Sequence, residues 1–112
     1  MEIILTGTRA YGPAREDSDW DFVVNFYDGD KIERILTANE FELKYQHDIN
    51  PRYRGFKFKF GKMQIQIICA DSPNQLRQWE KATEDMKNLV PIKDRETRLA
   101  QFEKYFKEAR HG

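Results

Sequence analysis

The stretch FKFKFGKMQIQI, residues 56–67, decides the architecture. Apolar and polar residues alternate through two runs separated by Gly61-Lys62. A period of two is the mark of a strand with one face buried, and a two-residue turn with glycine first closes a hairpin. Pairing across that turn sets Phe60 opposite Met63, Phe58 opposite Ile65 and Phe56 opposite Ile67. The six apolar side chains then share one face, while Lys57, Lys59, Gln64 and Gln66 share the other, with Lys57 opposite Gln66. A slip of one residue would scramble both faces, so the register is determined by the pattern.

Working outward, EIILT near the N-terminus and WDFVVNF at 20–26 read as further strands, the second apolar enough to be central. RAYG reads as a helical turn stopped by Gly12 and Pro13. Asp30 and Glu33 have capping-box spacing ahead of a helix whose apolar face carries Ile32, Ile35 and Leu36. FELKYQ alternates, which predicts Phe41, Leu43 and Tyr45 on one face. Two helices follow. The first opens with Ser72 as N-cap, Pro73 in the first turn and Gln75 completing a capping box, with Leu76, Trp79, Thr83 and Met86 inside. The second, after Pro91, buries a stripe of Leu99, Phe102, Phe106 and Ala109, with Arg110 and His111 near its end. The expected order is β-α-β-α-β-β-β-α-α, a fold of the α/β (α+β) class. It is a small mixed β-sheet covered by helices, with two C-terminal helices, in a single domain over 1–112.

Composition excludes several classes. Lys and Arg balance Asp and Glu at 19 each, so no bulk field points to nucleic acid or a membrane. Aromatic residues make up 13%, which argues against disorder. Cys69 is the single cysteine and cannot form an internal disulfide, as suits a reducing compartment. MEIILTGT has neither a basic n-region nor a long apolar run. The expectation is a soluble, cytoplasmic protein without a membrane partner.

The chemistry-bearing stretch is GTRAYGPAREDSDWDF, residues 7–22. Asp19 and Asp21 are two apart at the head of a strand and therefore point to the same face. Carboxylates that close repel each other unless a cation lies between them. Oxygen ligands of this kind suit Mg²⁺, which takes one or two carboxylates and completes its shell with water and phosphate oxygens. Gly7-Thr8 supplies a turn in which backbone can approach a phosphate. Together they make a cradle for a metal-bound triphosphate. Arg9 is a candidate phosphate contact and equally an ordinary exposed helical arginine.

Gly7, Thr8, Gly12, Asp19 and Asp21 resemble the signature of the minimal nucleotidyltransferases related to DNA polymerase β, of the kind found in bacteria and phages. Ser18 stands where that family often has serine. The resemblance implies Mg²⁺-dependent transfer of a nucleoside monophosphate from an NTP, ATP favoured, to a hydroxyl on protein, RNA or a small molecule. Asp19 and Asp21 would be catalytic metal ligands, and Gly7, Thr8 and Arg9 would hold the nucleotide. One departure stands out. The family adds a third carboxylate on a later strand, and here MQIQIICAD puts Gln66, or less favourably Gln64, at that place, with Lys57 across the hairpin set to repel a metal there. Asp71 lies beyond the strand.

Three functions follow from this reading: a working transferase, a degenerate member that binds nucleotide without transfer, and an interaction module of antitoxin or phage-inhibitor type with a protein partner on the two C-terminal helices. The basic stretch Arg52, Arg54, Lys57, Lys59 and Lys62 is interleaved with core phenylalanines, and its lysines read as a solvated or acceptor-facing sheet face. His47 is a candidate base, and a loop histidine without a placed partner reads more readily as structural. Cys69, Trp20 and Trp79 read as core.

Overall fold

The computed structural model describes the backbone of residues 1–50 and 53–110 and the side chains of 1–44 and 55–110. His47, Arg52, Arg54 and His111 therefore lie outside the described side chains. Five strands, β1 (Ile3–Thr6), β2 (Trp20–Asn25), β3 (Glu42–Asn50), β4 (Tyr53–Phe60) and β5 (Met63–Ala70), form one sheet in the order β1-β2-β5-β4-β3. The β2–β5 pair is parallel and the other three pairs are antiparallel, so the sheet is mixed. Helices α1 (Thr8–Tyr11), α2 (Gly29–Ala38), α3 (Pro73–Lys87) and α4 (Arg95–Ala109) complete the expected order. No described helix is long and apolar enough to cross a membrane.

The β4–β5 hairpin has the register that alternation predicts, from Phe60↔Met63 through Lys57↔Gln66 to Phe56↔Ile67. Gly61 carries a positive φ of 60° in its turn, a conformation open to glycine without steric cost. Parallel pairing with β2 places Trp20 beside Ile65, Phe22 beside Ile67 and Val24 beside Cys69. These residues, with Phe56 and Phe58, form one apolar layer, covered by Ile32 and Leu36 of α2 and by Phe41. The other face carries Val23, Ile68 and Ala70, and α3 lays Leu76 and Trp79 on them. Phe102 and Phe106 of α4 pack on Trp79, each with its ring centroid 5.3 Å from the indole. Full burial of side chains such as Phe58 and Val23 stabilises by about 1.5–3 kcal/mol each.

Three local expectations need correction. The capping box at Asp30 and Glu33 does not form: the chain turns through a 3-10 segment, Phe26–Asp28, and Asp28 takes the N-cap position without a side-chain cap bond. The earlier start lets α2 approach β5 closely, since a Cβ at Gly29 would meet Cys69 Sγ. The alternation over 41–46 is interrupted by a register shift between Leu43 and Tyr45, so that Leu43 pairs with Phe58 but Tyr45 with Lys57. Leu99, expected in the inner stripe of α4, is 48% exposed, because α4 meets α3 through Phe102 and Phe106 nearer its C-terminal end. At α3 the cap is as expected, Ser72 Oγ accepting from the Gln75 amide at 3.1 Å. Gln75 closes its side of the motif one residue early, accepting from the Asp71 amide at 2.7 Å.

Candidate active site

The site is built where β1 ends. Thr6, the last residue of that strand, is buried, and its hydroxyl lies 2.7 Å from that of Thr83 on α3. Thr83 donates its own proton to the Trp79 carbonyl at 2.7 Å. A hydroxyl has a single proton, so Thr6 must be the donor in the pair. This bond ties the end of β1 to α3 and fixes where the next residue, Gly7, emerges.

Gly7 adopts φ 71° and ψ −166°, a region essentially closed to other residues. It has a second reason to be glycine: a Cβ at this position would run into the Asp21 carboxylate. Backbone and acid are thus in close approach. Ala10 and Tyr11 both donate to the Gly7 carbonyl, at 2.9 and 3.2 Å, so the amides of Thr8 and Arg9 precede the first helical hydrogen bonds.

Between Gly12 and Asp19 the chain forms a loop that Arg9 straps down. Its guanidinium donates to the Glu16 carbonyl at 2.9 Å and to the Ser18 carbonyl at 3.0 Å from Nη2, with Nε at 3.3 Å from the latter. The same group sits 4.6 Å from the Trp20 ring centroid, within cation–π range. Ser18 Oγ accepts from the Arg15 amide at 2.8 Å and tightens the turn. The loop so held delivers Asp19 one residue before β2 begins, and Asp21 within it.

One row of the sheet then carries the chemistry. Thr6 pairs with Asp21, Asp21 with Gln66, and Gln66 with Lys57. Residues in register across a sheet project to the same face, so the expected place of Gln66 beside the aspartates is what the register shows. No third acid joins them: among the described residues no group of three or more His, Cys, Asp or Glu converges as a metal site. Asp71 lies beyond β5, five residues along from Gln66 and roughly 16 Å away at the rise of a strand, and engages Gln75 instead.

Burial pushes the Asp21 carboxyl up to about 6, the nearby Asp19 adds to the rise, and Lys57 opposes it. Asp21 Oδ1 is buried with no hydrogen-bond partner. Lys57 Nζ lies 3.3 Å from Asp19 Oδ2. Tyr11, at the end of α1, has its hydroxyl pushed up to about 12, mainly by burial, with Arg98 opposing and Asp21 adding to the rise. It is a neutral phenol at physiological pH. A carboxylate with an orphaned oxygen and a second carboxylate beside it are a donor set that fits a hard divalent cation. The set is two carboxylates and a neutral amide, enough for a cation whose other ligands are phosphate oxygens and water.

Sequence reasoning brought Gly7, Asp19, Asp21 and Gln66 together correctly. It missed that Thr83 anchors the turn and that Arg9 holds the loop by its backbone carbonyls. Neither had a sequence signal, because both bonds join segments distant in the chain or use main-chain acceptors. Two clefts open on the surface, one beside the aspartate-bearing loop and one elsewhere. One of about 730 Å³ runs between loop 15–18 and the hairpin tip, where Arg9, Arg15 and Lys62 face Trp20 and Met63. The other, of about 1100 Å³, lies between the start of α3 and the end of α4, and neither Asp19 nor Asp21 lines either cleft.

No curated protein and no solved structure matches the chain. The nucleotidyltransferase domain family matches residues 1–108. With the Gly-Thr turn, the paired aspartates and the mixed five-stranded sheet in place, the chain belongs to the nucleotidyltransferase domain family, in its minimal polymerase β-like form.

Proposed function

We propose that this protein binds a Mg²⁺–nucleoside triphosphate, ATP favoured, in the corner between Gly7 and Asp21, and transfers the nucleoside monophosphate slowly to a hydroxyl on a protein, RNA or small molecule. The observation that carries the reading is the close approach of the Asp21 carboxylate to the Gly7 backbone, with Asp19 beside it. Asp19 and Asp21 would hold the ion, which when bound neutralises charge on the triphosphate. Gly7 and Thr8 would take the phosphates through backbone amides. Arg9 supports this by holding the aspartate-bearing loop. In the transfer, the acceptor oxygen forms a new ester bond to the α-phosphorus. The bond from that phosphorus to the bridging oxygen breaks, pyrophosphate leaves with the bonding pair, and the hydroxyl proton is released to solvent. The setting would be cytoplasmic.

A second reading is favoured by one specific observation. Lys57 already neutralises Asp19 and Gln66 carries no charge, so the site is partly balanced without metal. A member retained for binding nucleotide or a protein partner, with the chemistry lost, has this appearance. Calorimetry with Mg²⁺ and each NTP, on the wild type and Asp21→Asn, together with labelled-ATP transfer assays, separates the two. Mg²⁺-dependent binding lost in Asp21→Asn, with measurable transfer, supports the enzyme. Binding without transfer supports the second reading, and no binding by any nucleotide overturns both nucleotide readings.

A further inference from the structure

We infer that Lys57 is a built-in cation of the site, so that the paired aspartates hold one divalent ion and the lysine ammonium takes the place of a second. The inference rests on the reading that Asp19 and Asp21 are metal ligands, and concerns how many ions they take.

Lys57 lies two strands from Asp21, with Gln66 between them. Adjacent strands are about 4.8 Å apart, so the two backbones are separated by roughly 10 Å. The lysine side chain crosses this interval and ends 3.3 Å from Asp19 Oδ2. Gln66 stands at the row position between the two strands, and its neutral amide offers no charge to a metal. The pair is also more sheltered than an ordinary surface bridge. The Lys57 and Asp19 side chains are 25% and 32% exposed, while in the ion pairs along α3 and α4 at least one partner is more than 40% exposed. Screening is weaker in such a place and the ammonium holds its position better.

Charge then sets the ion count. Two carboxylates and one ammonium leave a single net negative charge. One divalent ion reverses that to a single positive charge, suited to an anionic polyphosphate. A second divalent ion would have to share Asp19 with the first ion and with the ammonium on its Oδ2. The described residues supply no further carboxylate there to offset the added positive charge.

The test counts ions rather than turnover. Mn²⁺ is titrated into the protein saturated with a non-hydrolysable ATP analogue, and bound Mn²⁺ per chain is read from the loss of the free-ion electron paramagnetic resonance signal. The expected result is one ion for the wild type and still one for Gln66→Asp, because the new carboxylate pairs with Lys57. The double variant Lys57→Gln/Gln66→Asp is expected to bind two. Two ions on the wild type, which needs no variant and no folding control, would overturn the inference while leaving the nucleotide site intact. Two ions on Gln66→Asp, or one on a double variant with wild-type circular dichroism, would do the same. No Mn²⁺ on any of the three proteins overturns the metal-site reading itself, and the role of Lys57 with it.

Discussion

The Asp21 carboxylate lies against the α-carbon of Gly7, closely enough that the smallest side chain at position 7 would collide with it. Gly7→Ala therefore meets two penalties, the collision and a backbone conformation that alanine resists. The strain alone is worth about 1–3 kcal/mol. The variant is expected to lower the urea midpoint and to weaken Mg²⁺–ATP binding more than tenfold by calorimetry. Unchanged stability and affinity would mean that the turn and the acid are not in contact in solution.

Asp21 should make stability depend on pH. Its folded carboxyl titrates near 6, above the 3.8 of an unperturbed aspartate. The folded state thus binds the proton more tightly than the unfolded state. The resulting stabilisation is complete below about pH 4. It is lost as pH rises towards 6 and stays lost above that. The cost of ionising the group in place is on the order of 3 kcal/mol. Asp21→Asn removes the charge, so metal-free Asp21→Asn should be more stable than wild type by roughly 1–3 kcal/mol at pH 8, with no advantage at pH 4. Thermal unfolding across this range checks it. The same substitution is expected to abolish Mg²⁺–nucleotide binding, a direct exchange of stability for function.

Thr83→Val keeps the shape of the side chain and removes the acceptor of the Thr6 hydroxyl. A buried donor left unsatisfied costs about 1–3 kcal/mol. Denaturant unfolding should show that loss. The double variant with Thr6→Val, which removes both partners, should recover part of it. Full additivity of the two losses would argue against the bond.

Arg9→Met retains the stem of the side chain and removes the donors that hold the Glu16 and Ser18 carbonyls. The loop before Asp19 should loosen, and Trp20 should lose its guanidinium neighbour. A changed Trp20 emission is expected, read in a Trp79→Phe background, together with nucleotide affinity weakened about tenfold. Arg9→Lys should rescue little, since one ammonium cannot reproduce the fork that spans two carbonyls.

The hairpin register was legible because alternation leaves a strand pair no second solution, and Phe56, Phe58, Ile65 and Ile67 all had to reach the same side. The α3 cap at Ser72 was legible because its bonds are local. The α2 boundary was not. Asp30 and Glu33 have suitable spacing for a cap, but close packing of Gly29 on Cys69 pulled the helix start forward. Tertiary contact outweighed a local preference worth about 1 kcal/mol.

By itself the sequence determined the order of strands and helices, the register of the β4–β5 hairpin, and that Gln66 stands in the row where a third acid was expected. Period and local hydrogen-bonding chemistry are properties of neighbouring residues, and they survive in one dimension. The tertiary structure decided what those residues meet. Parallel pairing of β2 with β5 set Gln66 beside Asp21, packing on α3 brought Thr83 to Thr6, and the width of two strands carried Lys57 to Asp19. The charge balance of the site depends on side chains brought together from three strands and the loop before β2. Such distances exist only after folding, because hydrophobic burial and sheet pairing, rather than any local preference, draw those strands together.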